Sequence, residues 1–266
     1  KDSTGVVAKV SGKATVDPAY ADQPVMVMDP NAGTTVTLDC QDGVTLSETD
    51  STSFYMVLPP GTYSSFSVTI ATSDGKIMHK GSDKPLTIKR SGATFATSLT
   101  YVEMEASSLS DKGTANSYIV SAPGVYDFNA SVIGNGAKGI IDTTDFHTTD
   151  VAINPASAEL LWQDIAQPIS NVTYNPQTKR ISFLYTGTEG NAVIAAKDDS
   201  GNIIWSWHIW FTDEPKMMKS NSFVVMDRNL GATNAPVSPV GPAGSGLNET
   251  YGLYYQWGRK DPFAPG

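Results

Sequence analysis

The chain has 266 residues, 40 % hydrophobic and 17 % charged, and a formal net charge of −9. That length makes one large domain or two ordinary ones, and the composition is globular rather than disordered. Its 18 lysines and arginines are scattered without a cluster, which speaks against a nucleic-acid partner, because phosphate binding needs a concentrated basic surface.

Richness in Thr, Ser, Gly and Val favours strands and turns. In chain order, Val25-Met26-Val27-Met28 and Thr35-Val36-Thr37-Leu38 read as strands around the turn Asp29-Pro30-Asn31-Ala32-Gly33. Cys40 follows the second of these, so a buried or half-buried free thiol is expected; a single cysteine makes no internal disulfide. Phe54-Tyr55-Met56-Val57-Leu58 reads as a strand running into the turn Pro59-Pro60-Gly61-Thr62-Tyr63. Phe66, Val68 and Ile70 then alternate with Ser65, Ser67 and Thr69, the signature of a half-buried strand. Asp74-Gly75 predicts a hairpin turn, since both residues tolerate positive φ, with Ile77-Met78-His79 returning and Leu86-Thr87-Ile88-Lys89 as a further strand. Strands every ten residues or so, with no helical period, predict a β-sandwich.

The pattern lapses between Ala106 and Asn116, which places a domain boundary there. The second block opens at Tyr118-Ile119-Val120 and includes strands at Ile181–Tyr185, Ala192–Ala196 and Ile203–Phe211, the last two joined by the loop Asp198–Asn202. Pro155–Gln167 reads as the one candidate helix, although Leu160-Leu161-Trp162 suits a strand equally. From Asp213 onward, six of 16 prolines and seven of 23 glycines fall in the last 54 residues, marking an irregular segment or the start of a further module. The expected organisation is therefore all-β: one sandwich over 1–106, a second over 107–212, and a Pro/Gly-rich segment over 213–266.

Three of the five tryptophans lie in Ile203–Phe211. Alternation puts Ile203, Trp205, Trp207, Ile209 and Phe211 on one face, expected to be core. The other face carries Ile204, Ser206, His208, Trp210 and Thr212. If that face is open, Trp210 with His208 is a candidate ligand platform; otherwise Trp210 is a ring tucked beneath the segment that follows. Tyr254, Tyr255 and Trp257 form a second candidate aromatic set.

Other apparent motifs do not carry chemistry. Gly134-Asn135-Gly136-Ala137-Lys138-Gly139 matches the dinucleotide fingerprint, but β-branched and turn-rich residues follow where a helix must open. Asp142, Asp145 and Asp150 near His147 fit no calcium-loop spacing. No nucleophile elbow, zinc-protease helix or phosphate-binding glycine loop is present, so no catalytic residue, metal or cofactor is expected. No apolar run approaches the ~18 residues that span a membrane. The opening Lys1-Asp2-Ser3-Thr4-Gly5 is not a signal peptide, so the chain reads as a mature or trimmed form.

Three parts of the chain carry a resemblance. Tyr55–Tyr63 through Asp74-Gly75-Lys76 and Leu86–Ser91 resembles the N-terminal half of fimbrillin-like proteins, the pilus subunits of Bacteroidales. Leu161–Asp164, Asn191–Ala196 and Trp205–Trp210 resemble the second domain of large fimbrillin-like surface proteins. Met226-Asp227-Arg228-Asn229-Leu230-Gly231-Ala232-Thr233 with Gly252–Phe263 looks like the start of a lectin-related module found at the C-terminus of such proteins. The resemblance implies two tandem sandwiches of transthyretin-like or immunoglobulin-like type. It also implies export to the cell surface and outer membrane, with a lipid anchor in the precursor only. Assembly with other pilus subunits would be by a donated β-strand. In the family, cleavage after an arginine near the N-terminus frees the groove; here the first arginine is Arg90, a departure from that pattern. The large C-terminal part suits an accessory or tip subunit better than a shaft subunit. The expected function is structural and adhesive, without enzymatic activity, toward host or bacterial glycans or proteins. The alternative is a surface glycan-binding lipoprotein outside any pilus.

Overall fold

The computed structural model describes all residues except 3, 18, 20–24, 42, 95–98, 137–150, 165–167, 236–247 and 264–266. The chain is mostly β and divides into two units: Lys1–Ile70 with Met78–Val102, and Ala71–Ile77 with Glu103–Gly266.

The first unit is built from strands paired in twos. β1 (Ala14–Asp17) runs antiparallel to β2 (Val25–Met28), and β3 (Gly61–Tyr63) antiparallel to β6 (Leu86–Ile88). β4 (Phe66–Ala71) neighbours β5 (Ile77–Ser82), and the bend between them, at Asp74-Gly75, belongs to the second unit. The expected partner of β2, Thr35–Leu38, is not a strand; β1 takes that place, a correction to the sequence reading. Phe54–Leu58 is likewise in no strand, and its side chains face water, with Tyr55 78 % and Val57 90 % exposed. Cys40 is exposed at the turn Cys40–Gly43, not buried at a strand end.

The second unit contains two four-stranded mixed sheets. One has the order β10 (Ser157–Gln163), β13 (Gly190–Lys197), β14 (Ile203–Phe211), β8 (Ser117–Val120). The other has the order β11 (Ile169–Asn175), β12 (Arg180–Tyr185), β9 (Gly124–Asn129), β7 (Ser107–Ser108). The outer strands β8 and β7 are the parallel members, against β14 and β9. Phe128 of β9 meets Trp207 of β14 at 5.0 Å between ring centroids, and Phe183 of β12 meets Phe211 edge-on at 6.1 Å. Those contacts place the sheets face to face around one core, which also takes Tyr118, Val120, Ile169, Ile181, Ala192, Ile194 and Ile209. Alternation holds along β12: Ile181, Phe183 and Tyr185 point inward, while Leu184 points out and is covered by Ile77, Val125 and Met104.

The helix expected over Pro155–Gln167 is absent: Ser157–Gln163 is β10, antiparallel to β13 with a register shift between Leu160 and Trp162. Residues 165–167 lie outside the described residues. Pairing with the apolar β13 decides the matter, because an edge strand beside a sheet ladder satisfies backbone groups that a short isolated helix leaves exposed.

From Asp213 the chain stays in this second unit. β15 (Met217–Ser220) and β16 (Phe223–Met226) make a two-stranded ribbon, joined at Asn221 in the left-handed region. Met217, Met218, Phe223, Val224 and Val225 are all exposed on it. After the ribbon come a turn at 229–232, the short helix α1 (Asn248–Tyr251) and a loop closed by the bridge Tyr254–Phe263.

Candidate functional site

The tryptophan strand separates its two faces as alternation requires. Trp207, Ile209 and Phe211 lie fully in the core. Trp205 is half-buried at its edge: a register shift next to Ile203 breaks the alternation there, and Ile203 is exposed. The opposite face is not open. Trp210 is 4 % exposed, and its Nε1 donates to the Ala232 carbonyl at 3.1 Å. His208 is also buried. Trp210 and His208 are therefore not a ligand platform as they stand: among the described residues, those of the turn at 229–232 and of the stretch ending at Lys260-Asp261 bond across this face.

That cover is held by polar contacts at three places. At its start, the Arg228 guanidinium donates to Thr212 Oγ1 at 2.8 Å, to the Thr233 carbonyl at 3.1 Å and to Asp227 at 2.9 Å, and also pairs with Asp213. These hydrogen bonds, chiefly that of Asp227, raise the Arg228 pKa, and Arg228 in turn holds Asp213 and Asp227 below the usual carboxylate range.

In the middle sits a buried amide. Asn191 Nδ2 donates to Asp164 Oδ2 at 3.0 Å and to the Gly231 carbonyl at 2.9 Å, and the Asn191 backbone N–H donates to the same Asp164 oxygen at 2.7 Å. With both amide protons committed, Asn191 Oδ1 is left to accept, so His208 Nε2, at 2.9 Å, is the donor and carries the proton. Burial lowers the His208 pKa from 6.5 to about 4; the Asp261 carboxylate works against that shift and the Lys260 ammonium with it.

At its end, Ser206 Oγ donates to Asp261 Oδ2 at 2.6 Å, and Lys260 Nζ donates to the Ser206 carbonyl at 2.7 Å while lying 4.8 Å from the Trp205 ring centroid.

The second aromatic set stands in water. Beyond Tyr254 a turn closes with the Arg259 N–H donating to the Gln256 carbonyl at 3.0 Å. Gly258, at φ +79°, occupies the third position, so this is a type II turn with Trp257 at its corner. Trp257 is 94 % exposed, and Tyr251, Tyr254 and Tyr255 are exposed nearby in sequence. Arg259 stacks 4.1 Å over the Phe263 ring and braces the base of the loop. Of the five aromatic and histidine candidates, the structure thus buries His208 and Trp210 together and displays Tyr254, Tyr255 and Trp257. The sequence signal for that division was available only in part: alternation separates two faces of a strand but says nothing of what covers them.

Among the described residues, no three His, Cys, Asp or Glu side chains gather where a metal ion could sit. Asp142, Asp145, His147 and Asp150 lie outside the described residues. Of the glycine-rich stretch, Gly134 and Gly136 form a turn in the left-handed region, and 137–139 are outside the described residues. No described helix is long and apolar enough to cross a membrane.

Comparison with protein-family models, with curated proteins and with solved structures returns no match. Any family assignment therefore rests on the motifs quoted above.

Proposed function

We propose that the chain is a structural and adhesive cell-surface protein. In this reading it is a fimbrillin-like accessory or tip subunit, exported to the outer membrane surface and joined to other subunits by β-strand exchange. The observation that carries the reading is Phe54–Leu58: five consecutive apolar residues of strand-forming type, outside every described strand, with Tyr55 and Val57 in water. Such a segment has both backbone edges free, and pairing with a strand of another subunit satisfies them while burying the side chains. The finer fold expectation, two tandem sandwiches of transthyretin-like or immunoglobulin-like type, belongs to the same proposal. A second reading, a glycan-binding surface lipoprotein outside any pilus, is favoured by Trp257, since an exposed ring on a braced turn is suited to stacking on a sugar.

Immunogold electron microscopy of the native cells separates the two. Gold on the ends or sides of thin fibres supports the subunit. An even spread over the outer membrane without fibres sinks it, and Trp257→Ala then tests whether glycan binding depends on the displayed ring.

A further inference from the structure

We propose that Tyr254, Trp257 and Arg259 form a site for an acidic sugar, a hexuronic acid whose ring stacks on the aromatic side chains and whose carboxylate meets the guanidinium. The proposal rests on the reading of the displayed rings as a sugar surface and names the class of sugar. Its frame is the loop 254–263. Tyr254 and Phe263 exchange both backbone hydrogen bonds at 3.0 Å, so they stand directly opposite each other and their side chains share one face of the loop. On that face the Arg259 guanidinium carbon lies 4.1 Å from the centre of the Phe263 ring. Contact with a ring engages the guanidinium as a cation and not through its N–H donors. The planar fork can therefore still meet a carboxylate with two parallel hydrogen bonds. Tyr254 is 63 % exposed and presents its ring on the same face.

The charges of the loop favour an anion. Between Gly252 and Phe263 they are Arg259, Lys260 and Asp261. Asp261 accepts from Ser206 Oγ and pairs with Lys260, whose Nζ also donates to the Ser206 carbonyl. That pair closes on itself and on β14, which leaves Arg259 as the cation in excess within the loop. The net charge of −9 repels an anion at long range, but physiological salt screens that field beyond about 8 Å, and at contact the fork decides.

The rings select the rest of the ligand. Trp257 is 94 % exposed and two residues from Arg259, which keeps their Cα atoms within about 7 Å. The C–H face of a pyranose stacks on such a ring, and a hexuronic acid carries its carboxylate at the rim of that same pyranose. A neutral hexose has a hydroxymethyl group there and makes no use of the cation. A bare carboxylate uses Arg259 and leaves the rings idle.

Titration of the whole chain with methyl β-glucuronide and with methyl β-glucoside tests the proposal, because the two sugars differ at one carbon, carboxylate against hydroxymethyl. Binding is read from Trp257 emission and from the NMR line widths of the sugar. The glucuronide should bind roughly 10-fold tighter, the value of a charge-assisted hydrogen bond. Trp257→Ala should weaken both sugars. Arg259→Lys keeps a cation beside Phe263 and loses the planar fork. It should leave the Tyr254 and Phe263 amides as protected from exchange as in the wild type and lose most of the preference for glucuronide. Full preference in Arg259→Lys overturns the proposal. Equal binding of the two sugars, weakened by Trp257→Ala, also overturns it while leaving the sugar surface standing. Binding of neither sugar overturns both. Acetate bound as tightly as the glucuronide assigns Arg259 to a bare carboxylate and overturns the acidic-sugar site.

Discussion

Asn191 shows how much one side chain can hold. Its amide joins the loop after β10, the turn at 229–232 and the tryptophan strand through Asp164, Gly231 and His208. Replacing Asn191 by Ala leaves the His208 N–H and the Gly231 carbonyl without these partners in a buried place. A single unsatisfied buried group costs about 1–3 kcal/mol, so Asn191→Ala should lower stability by about 3 kcal/mol in urea denaturation. A loss within error of zero would mean that water replaces the amide and that the network carries little. None of this was legible in the sequence. Asn191 reads there as an ordinary polar residue at a strand end, because its partners lie 17, 27 and 40 positions away. The core side of the same strand was legible at this scale: alternation alone assigns Trp207, Ile209 and Phe211 to the interior, where the structure has them.

Among the elements, those read correctly carry a local signal, although the same signal at Thr35–Leu38 and Phe54–Leu58 marks no strand. β2, β6, β8, β12, β13 and β14 coincide with apolar or alternating runs, and the Asp74-Gly75 bend and the 198–202 loop carry turn residues. β9 and β11 escaped notice because Asp127, Asn171 and Asn175 interrupt their pattern. Asp127 is in a strand to pair with Arg180 on neighbouring β12, a non-local reason. Asn171 sits at φ +55° where the register of β11 shifts, so its side chain marks an irregularity in the ladder. The two turns that meet at Leu230 and Leu253 depend on two glycines for a different cause. Gly231 and Gly252 are both in the left-handed region, and a Cβ at Gly252 would stand 2.4 Å from the Leu230 carbonyl oxygen. Since Leu253 N–H bonds to that same carbonyl, the two turns cannot part by a few tenths of an ångström without losing it. Gly252→Ala should therefore destabilise the contact between these two turns by about 1–3 kcal/mol. It should raise hydrogen exchange at Leu253 while leaving the two sheets folded. Unchanged exchange at Leu253 would show that the close approach is relieved elsewhere.

The whole molecule is uneven in how it uses apolar surface. The second unit buries its aromatic residues between two sheets, whereas the first leaves Val6, Val7, Tyr55 and Val57 in water. Val57→Lys tests what that exposure is for. The side chain is nine-tenths exposed, so the substitution should move the melting temperature little, as surface changes fall within about 0.5 kcal/mol. If Phe54–Leu58 joins subunits, the same change should suppress self-association in analytical ultracentrifugation. Self-association equal to that of the wild type would remove this segment from the interface. The β-rich character of the chain was legible at this scale because strand spacing and composition are summed over many residues. The covering of one sheet face by later residues entered only as one of two alternatives for Trp210, since proline and glycine content marks irregular backbone without saying where it lies. The type II turn at Gln256–Arg259 has one more consequence. It sets Trp257 in bulk solvent while Trp207 and Trp210 are sealed from it, so the indole emission of the folded chain contains a red, iodide-quenchable component beside a blue, protected one. Loss of the red component when another molecule is added would report that the corner of that turn has been covered, with no label attached to the protein.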